Sequence, residues 1–225
     1  MKFSKTLFWN MYAKCYDAIA LLQPYQDLLQ NVVDKLPNTS FKMFDAGCGT
    51  GNLLFKLCKT RNDITAIGID FSDTMISIAR KKVRHATFTQ ASLADSLPFP
   101  DKTFDVVTCV KVLFAVPNPG FTISELKRVL KDDGILILDT PKAGWSMRPI
   151  LKEHVKQVGW FKTIPVLLRL LVLAGFNLFI FSKGDKNIYH FMDLSQFKRF
   201  FNSPIKSAYA SQDWFTCADR TSISV

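Results

Sequence analysis

The segment Phe44–Asn52 constrains the fold more than any other part of the sequence. It reads Phe-Asp-Ala-Gly-Cys-Gly-Thr-Gly-Asn and separates a short apolar run from an amphipathic stretch. The three alternating glycines permit positive φ and let the backbone approach a ligand closely, where side chains would clash. The segment therefore predicts a strand, a ligand-binding turn and a helix in that order.

The same alternation of strand and helix continues to Thr140, as expected for an α/β chain with a buried parallel sheet. Ser72 is predicted to cap a helix, and Gly134 to close the last helix-to-strand connection. The predicted strands are Lys42–Ala46, Ile64–Ile69, Ala86–Gln90, Phe104–Cys109 and Ile135–Asp139, and the predicted helices are Gly51–Lys59, Ser72–Val83 and Phe121–Leu130. A short helix, Asp193–Phe201, and two strand-like runs, Ile205–Ala210 and Trp214–Ala218, follow later and predict a closing antiparallel hairpin.

Asp70 adds a second constraint, because it lies 19 residues after Gly51 at the tip of the second predicted strand. An acidic side chain there can accept hydrogen bonds from both hydroxyls of a ribose. The dinucleotide fingerprint G-x-G-x-x-G is not present, since Asn52 stands three residues after Gly49. A tight turn with a solvated aspartate is the structural alternative, and it explains less of the combination.

At this point the chain resembles the class I S-adenosylmethionine-dependent methyltransferases, particularly the small-molecule branch with the ubiquinone and menaquinone biosynthesis enzymes. The resemblance covers about Phe41 to Lys142, and the terminal stretch Ala208–Arg220 looks like the hairpin that ends this fold. It implies a Rossmann-like, doubly wound, seven-stranded sheet with the last strand antiparallel, and S-adenosyl-L-methionine across the carboxyl ends of the first strands. The matching segments are Asp45–Gly51, Asp70, Leu97–Val107 and Glu125–Leu138.

The resemblance also implies a set of cofactor-binding residues. Asp45 would steer the amino-acid end, Asp70 would bind the ribose, and Phe71 would flank the adenine. A ligand with a sulfonium, an ammonium, a carboxylate and a ribose needs carboxylates and bare backbone, which this set supplies. The other implied positions are Tyr16, Gly47, Cys48, Gly49, Gly51, Ser92, Leu93 and Val110.

Two of these positions leave alternatives open. Leu93 stands where the family commonly has an aspartate for the adenine amino group, so that contact would come from the backbone of Ser92 to Ala94 or from Asp95. Tyr16 belongs to a Tyr-rich segment that resembles the one folding over the cofactor, where a hydroxyl can reach the methionine carboxylate. The alternative is that Tyr12 and Tyr16, spaced i and i+4, pack as neighbours on a helix.

No dedicated catalytic base is required by the sequence, because methyl transfer from a sulfonium is downhill and alignment with water exclusion can supply the rate. Lys111, just past the fourth strand, is one candidate, with an exposed lysine at a helix start as its alternative. His154 and His190 are the others, with structural roles as theirs. The histidines and the five dispersed cysteines show no metal-ligand or disulfide pattern, and a reducing compartment fits best.

The segment from Gly144 to His190 interrupts the alternation and predicts a helical insertion after strand five. It contains a charged amphipathic stretch, Pro149–Val158, and an apolar one, Trp160–Phe181, in which Lys162, Arg169 and Asn177 form a narrow polar stripe. Arg169, Pro165 and Asn177 count against a membrane span. A lid over the active site, a membrane-contact helix and an extra core helix remain the alternatives.

The charge of the chain bears on its partners. Its formal net charge is +10, and the excess is concentrated after Thr140, where 12 basic residues face 5 acidic ones. Such an excess suits an anionic membrane or acceptor, while no nucleic-acid-binding motif is present and nucleic acid is not the expected partner. The amino-terminal segment is interrupted by Asn10, Lys14 and Asp17 before it reaches signal-peptide length, which favours reading it as part of the mature protein. With the dispersed cysteines this predicts a cytoplasmic protein, and the basic excess predicts that it is membrane-peripheral.

Together these features predict a single domain, residues 1–225, with the insertion at 144–190. The predicted function is transfer of the sulfonium methyl group, by in-line displacement, to a hydrophobic quinone- or lipid-like small molecule. A hypothesis from another class is a methyltransferase-like scaffold at a membrane surface that has lost turnover. Leu93 and the lack of an obvious base favour the scaffold, whereas the intact glycines, Asp45 and Asp70 oppose it.

Overall fold

The computed structural model describes residues 5–183 and 191–224 of the chain. Within them seven strands form one mixed sheet in the order β3-β2-β1-β4-β5-β7-β6, and β7 runs antiparallel to both of its neighbours. The predicted Rossmann-like sheet with its last strand antiparallel is therefore confirmed. The strands are β1 Lys42–Ala46, β2 Thr65–Asp70, β3 Ala86–Gln90, β4 Phe104–Val110, β5 Leu130–Pro141, β6 Ile205–Ala208 and β7 Asp213–Asp219.

Helices cover both faces of this sheet, because alternate residues of the central strands are apolar on each side. The helices are α1 Lys5–Tyr16, α2 Gln23–Val33, α3 Asn52–Cys58, α4 Asp73–Lys82, α5 Pro119–Val129, α6 Met147–Val158, α7 Trp160–Lys183 and α8 Leu194–Lys198. Met43 and Val106 belong to the core shared with α2, α3, α4, α6 and α7, whereas Phe44 and Val107 belong to the core shared with α5 and α8. This alternation is the period of two expected of strands buried on both faces.

The fifth strand differs from its prediction. β5 begins at Leu130 instead of Ile135, and the pairing of β4 with β5 shifts register between Phe104 and Val106. Gly134 therefore lies within the strand at this irregularity, where a Cβ would come within 2.9 Å of the carbonyl oxygen of Asp105. Close backbone approach at a bulge, and not a connecting loop, explains the glycine.

Two helices follow β5, in the region where the insertion is predicted. Gly159, with φ of +85°, joins α6 to α7, and α7 packs against α1 and α6. One side of α7 is buried through Thr163, Val166, Leu170 and Leu173. In the part of the chain that the structure describes, no helix is long and apolar enough to cross a membrane.

Candidate active site

The glycine turn sits between β1 and α3, at the carboxyl edge of the sheet. Gly47 has φ of +72°, and a Cβ on it would lie 2.5 Å from the side chain of Val112. The amide of Cys48 donates to the carbonyl of Ile69 over 2.8 Å, which ties the turn to β2. A backbone hydrogen bond thus fixes the turn to β2, and Gly47 and Gly49 themselves add no side chain to it.

Asp70 ends β2 and bonds the turn from the other side. Its Oδ2 accepts from the amide of Gly49 over 3.1 Å, and its Oδ1 accepts from the amide of Ser72 over 2.9 Å. Burial raises the pKa of Asp70 to about 6, and the amides of Ser72 and Gly49 oppose that rise. A ligand that donates hydrogen bonds to this carboxylate, as ribose hydroxyls do, would favour its ionised form.

Asp45 lies beneath the turn, with 3% of its surface exposed. Its Oδ1 accepts from the hydroxyl of Thr108 over 2.7 Å. Burial raises the pKa of Asp45 to about 7; the hydrogen bond from Thr108 opposes this, and the charge of Asp70 adds to it. The group is therefore poised to ionise when a cationic ligand approaches.

A cavity of about 230 Å³ opens over the turn, and we call it the turn cavity. Of the sequence-predicted residues it brings together Tyr16, Gly47, Gly49, Asp70, Phe71, Ser92 and Leu93, along with Lys111. Asp45, Cys48, Gly51 and Val110 lie behind this lining instead of on it. Sequence reasoning did not single out the lining residues Trp9, Met75, Ala91, Val112, Ala115, Val116 and Pro117.

The segment around Leu93 lies at the edge of the turn cavity. Ser92, Leu93 and Ala94 line the turn cavity, while Asp95 is exposed and outside the lining. The carbonyl of Leu93 accepts from Thr122 over 3.1 Å, and Ser92 Oγ accepts from the amide of Ala94. Of the two alternatives, the segment Ser92 to Ala94 borders the cavity, and Asp95 does not.

Helix α1 covers the turn cavity and is fastened at two points. Near its middle, Ser72 Oγ donates to Asn10 over 2.6 Å. Just beyond its end, Asp17 accepts from Thr50 over 2.5 Å and from Lys82 over 2.8 Å. The sequence analysis missed Asp17, because only the folded chain brings it to the residues that follow the glycine turn.

Tyr16 packs on a helix neighbour, as one of its two predicted roles requires, while contact of its hydroxyl with a methionine carboxylate stays a prediction. It packs on Tyr12 with ring centroids 5.7 Å apart, as two aromatic residues at i and i+4 do. It also lines the turn cavity, where a Cβ on Gly49 would lie 3.6 Å from its ring. Its hydroxyl is hydrogen-bonded to that of Tyr25, and burial raises the pKa of Tyr16 well above its ordinary value.

A second cavity of about 190 Å³ adjoins the first, and we call it the aromatic cavity. The two share Trp9, Tyr16 and Lys111. Leu173 of α7 contributes to its wall, which connects the helix after β5 with this cavity. The remaining lining residues are Tyr12, Ile19, Tyr25, Phe114, Pro141, Trp145, Met147, Phe191 and Tyr209. Such a lining suits a flat, largely apolar ligand.

Lys111 lines both cavities, and its environment differs from the predicted one. Instead of an exposed lysine at a helix start, it has φ of +61° and a side chain only 11% exposed. Its ammonium is ion-paired with Asp213, lies 3.9 Å from Asp139 and stands 3.5 Å from the centre of the Tyr209 ring. Asp139 and Asp213, both fully buried, were not singled out from the sequence, because β5 and β7 are distant along the chain.

The two histidine candidates are placed differently. His154 is buried on α6, away from both cavities, and its Nδ1 accepts from the amide of Gln23 over 3.0 Å at the start of α2. It therefore supplies an acceptor for a free helix-end amide. Burial lowers the pKa of His154, so the neutral ring that can accept this bond is favoured. His190 lies outside the described residues.

A seven-stranded sheet of this order, with a glycine turn after β1 and an acid at the end of β2, defines a methyltransferase-like α/β protein. A model of the family described as "Methyltransferase domain" matches residues 37–184, and the chain belongs to that family.

Among relatives, the chain is 36% identical to a demethylmenaquinone methyltransferase of Lactobacillus johnsonii over 56% of this chain and 53% of that protein. It is 31% identical to the Staphylococcus saprophyticus enzyme of the same name over 72% of this chain and 68% of that protein. The chain thus spans about half the length of the first relative. A solved complex of the Haloferax volcanii Trm112 methyltransferase activator with a methyltransferase contains a chain of the same fold, with a TM-score of 0.65 at 15% identity over 94% of this chain and 97% of that one.

Proposed function

We propose that the protein is an S-adenosyl-L-methionine-dependent methyltransferase that acts on a hydrophobic, quinone- or lipid-like small molecule. The observation that carries this proposal is the pair of adjoining cavities. One combines two glycines of the turn and the Asp70 carboxylate with apolar side chains, the other is lined mainly by aromatic rings, and Trp9, Tyr16 and Lys111 are common to both. A methyl donor in one cavity and an acceptor in the other would come into contact where the two cavities adjoin.

The turn cavity fits the cofactor in its chemistry. Gly49 leaves space that a Cβ would fill, Gly47 lets Val112 pack closely on the turn, and Asp70 offers a carboxylate to the ribose. Phe71 would flank the adenine, Ser92 to Ala94 would face its edge with backbone, and Tyr16 would cover the methionine end. Asp45, behind the turn, would act on the ammonium through the turn or through water. The cofactor itself supplies the activated methyl group.

The aromatic cavity would hold the acceptor. Tyr12, Tyr25 and Tyr209 line it with rings that would pack on a planar ring, and a bound acceptor would displace water from between them. The names of the two relatives refer to a menaquinone precursor, which supports a quinol-like acceptor. Positioning by these rings would supply most of the rate, because the methyl group is already activated.

Calorimetric titration with S-adenosylmethionine and with its demethylated product tests the cofactor assignment directly. We expect both to bind the folded protein with micromolar affinity, as is usual for substrates of enzymes. The absence of measurable heat up to millimolar concentration for both ligands would contradict the proposal.

Incubation with methyl-labelled cofactor and a lipid extract separates the enzyme from the scaffold hypothesis. An active enzyme transfers label into an extractable product, whereas a scaffold binds cofactor without transfer. Trp145→Ala is the matched variant, because it enlarges the aromatic cavity without touching the turn cavity. We expect it to reduce labelling while cofactor binding stays at the parental level.

The outer side of α7 supports a contact with an anionic membrane surface. Large apolar side chains there are exposed to water, among them Phe161 at 87% and Leu171 at 66%. On a helical wheel these side chains occupy an arc of about 140°, with Lys162 and Arg169 along one border. An apolar arc bordered by basic residues is typical of a helix that rests in a headgroup region. An acceptor dissolved in that membrane would then be close to the cavity that Leu173, on the inner side of α7, helps to line.

A further inference from the structure

The Lys111 cluster, formed by Lys111, Asp139 and Asp213, carries more negative than positive charge. Asp139 and Asp213 are both fully buried, and Lys111 is the cation between them. If both carboxyls were ionised the cluster would hold a net charge of −1 away from water, which is costly. The resting cluster is therefore expected to retain one proton.

The hydrogen bonding of the cluster also indicates that one of the two carboxyls is protonated. Among the described residues, neither oxygen of Asp139 has a hydrogen-bond donor, and Oδ1 of Asp213 has none either. The two carboxyls can bond to each other only when one of them is protonated. Burial and the neighbouring Asp213 raise the pKa of Asp139 well above its ordinary value, while Lys111 lowers it. One shared proton on the pair satisfies both groups.

Other ionisable groups surround the pair, and none of them supplies a second buried cation. Tyr209 before β7 neighbours both carboxyls, Cys109 of β4 neighbours Asp139, and Lys142 after β5 neighbours Asp213. Further out, Tyr12 of α1 and Tyr25 of α2 neighbour Tyr209, and Asp45 of β1 neighbours Cys109. Lys142 bonds to Ser207 and stacks on Trp214 at the surface, so it lies outside the cluster. The charge of the pair is thus balanced by Lys111 and by whatever occupies the cavities that Lys111 lines.

We propose that the Lys111 cluster accepts the proton that the substrate loses when it is methylated. The carboxyl pair first releases its own proton, when the sulfonium cation binds next to Lys111. It then takes up the proton from the substrate. This inference rests on the proposed function and deepens it. It assigns the acceptor to the class of molecules with an ionisable hydroxyl, such as phenols and enols, which release a proton on methylation.

The charges and atoms of this step balance. The O–H bond of the acceptor breaks and an N–H bond forms at Lys111 Nζ, while Lys111 passes one of its own protons to the carboxyl pair. The O–CH₃ bond forms as the S–CH₃ bond breaks, and the electron pair of that bond stays on sulfur. The sulfonium charge of +1 and the cluster charge of −1 are both zero afterwards.

Proton release during cofactor binding tests the inference without any acceptor. We would titrate the protein at pH 7.5 with S-adenosylmethionine and separately with S-adenosylhomocysteine, each in phosphate and in Tris, whose ionisation enthalpies differ. The two ligands differ in the sulfonium methyl group, so the difference in released protons reports the groups that respond to that charge, and the variants of the carboxyl pair assign it to the cluster and not to Asp45 or Asp70. We expect S-adenosylmethionine to release up to about one proton more than S-adenosylhomocysteine.

Asp139→Asn should abolish this difference, and Asp213→Asn, which neutralises the other half of the pair, should do the same if the first variant does not fold. Asp132→Asn is the matched control, because Asp132 lies on the same strand but is exposed and paired with Lys102. The affinity for S-adenosylmethionine divided by the affinity for S-adenosylhomocysteine should also rise with pH in the parent and stay constant in Asp139→Asn. An equal proton count for both ligands in the parent, or a parental difference in a folded pair variant, would overturn the inference. Failure of both ligands to bind would instead contradict the proposed function.

Discussion

Asp70 links the glycine turn, the start of α4 and the turn cavity through a single carboxylate. Replacing it with alanine removes the acceptor that we assign to the ribose and leaves the amides of Gly49 and Ser72 without their partner. Hydrogen bonds to a charged acceptor contribute about 1.5–3 kcal/mol. We therefore expect Asp70→Ala to weaken cofactor binding roughly ten- to a hundredfold by calorimetry, with the fold retained by circular dichroism.

Asp63→Ala serves as the control for Asp70, since Asp63 is exposed and pairs with Arg61 away from the cavity. Its cofactor affinity should equal that of the parent. Parental affinity in a folded Asp70→Ala variant would remove Asp70 from the site.

Asp45 makes the stability of the ligand-free protein depend on pH. Its pKa is raised to about 7 by burial, so between about pH 4 and pH 7 the folded state binds more protons than the unfolded state. Stability must then fall as pH rises through this window, by up to roughly 1.4 kcal/mol for each pH unit. The asparagine in the variant Asp45→Asn does not titrate and keeps an oxygen that can accept from Thr108. The free energy of unfolding of the variant, relative to that of the parent, should therefore increase from pH 5 to pH 8.

Urea denaturation of both proteins at four pH values in that range measures the effect. Asp63→Asn, an exposed carboxyl with a lowered pKa, should follow the parent at every pH. Parallel curves for Asp45→Asn and the parent would show that Asp45 is ionised in the fold throughout.

Sequence analysis missed the partners of Lys111, which are Asp139 and Asp213, because these residues meet only through strands that are distant along the chain. Asp45, Asp70 and the glycines stand within one βα unit, so their spacing alone predicts where they meet. Lys111 and Asp213 are 102 positions apart, and they meet because β7 inserts antiparallel beside β5. A lysine after an apolar strand carries no local sign of such a partner.

At the scale of the element, α7 has two apolar faces, and the periodicity of the sequence cannot tell which of them is buried. Its buried side, Val166, Leu170 and Leu173, and its exposed side, Phe161, Leu168 and Leu171, are equally apolar. The sequence therefore predicts the helix and its polar stripe at Lys162 and Arg169, but not which apolar side packs on α1 and α6. The packing of neighbouring helices decides that.

If the outer side of α7 rests on an anionic membrane, neutralising its basic border should weaken that contact. We expect Lys162→Gln with Arg169→Gln to reduce sedimentation with phosphatidylglycerol liposomes, by roughly fivefold for each charge, since a basic residue at such a surface contributes about 1 kcal/mol. Cofactor affinity should remain unchanged, because neither residue lines a cavity.

The double variant Lys152→Gln with Lys156→Gln removes the same charge from exposed positions on α6 and should sediment as the parent does. Phe161→Ser with Leu168→Ser tests the apolar arc independently and should also reduce sedimentation. Absence of liposome binding by the parent at low salt would show that α7 is an ordinary lid or core helix.

At the scale of the whole molecule, cofactor binding should stabilise the fold, because the turn cavity is built from β1, β2, β4 and α1 together. A ligand at 100 times its Kd adds about 2.7 kcal/mol to the free energy of unfolding. For a chain of this size that corresponds to a rise in Tm of about 5–10 °C. Differential scanning fluorimetry with S-adenosylhomocysteine would measure it.

Asp70→Ala at the same ligand concentration should give a smaller rise, in proportion to its weaker binding. Adenine alone, which lacks the ribose and the amino-acid end, should give little change in the parent. A parental Tm that does not respond to saturating S-adenosylhomocysteine would mean that the cavity does not close on this ligand.

The side chains common to the two cavities have a consequence for how ligands bind. Trp9 and Tyr16 belong to α1, and α1 is fastened to the fold through polar contacts of Asn10 and Asp17. An occupant of either cavity packs against the same two rings and therefore restrains the same helix. If the two cavities hold donor and acceptor as proposed, the second ligand should meet a wall that is already ordered. We then expect each ligand to raise the affinity for the other by one reciprocal coupling energy, and the departure of either to weaken binding of the other.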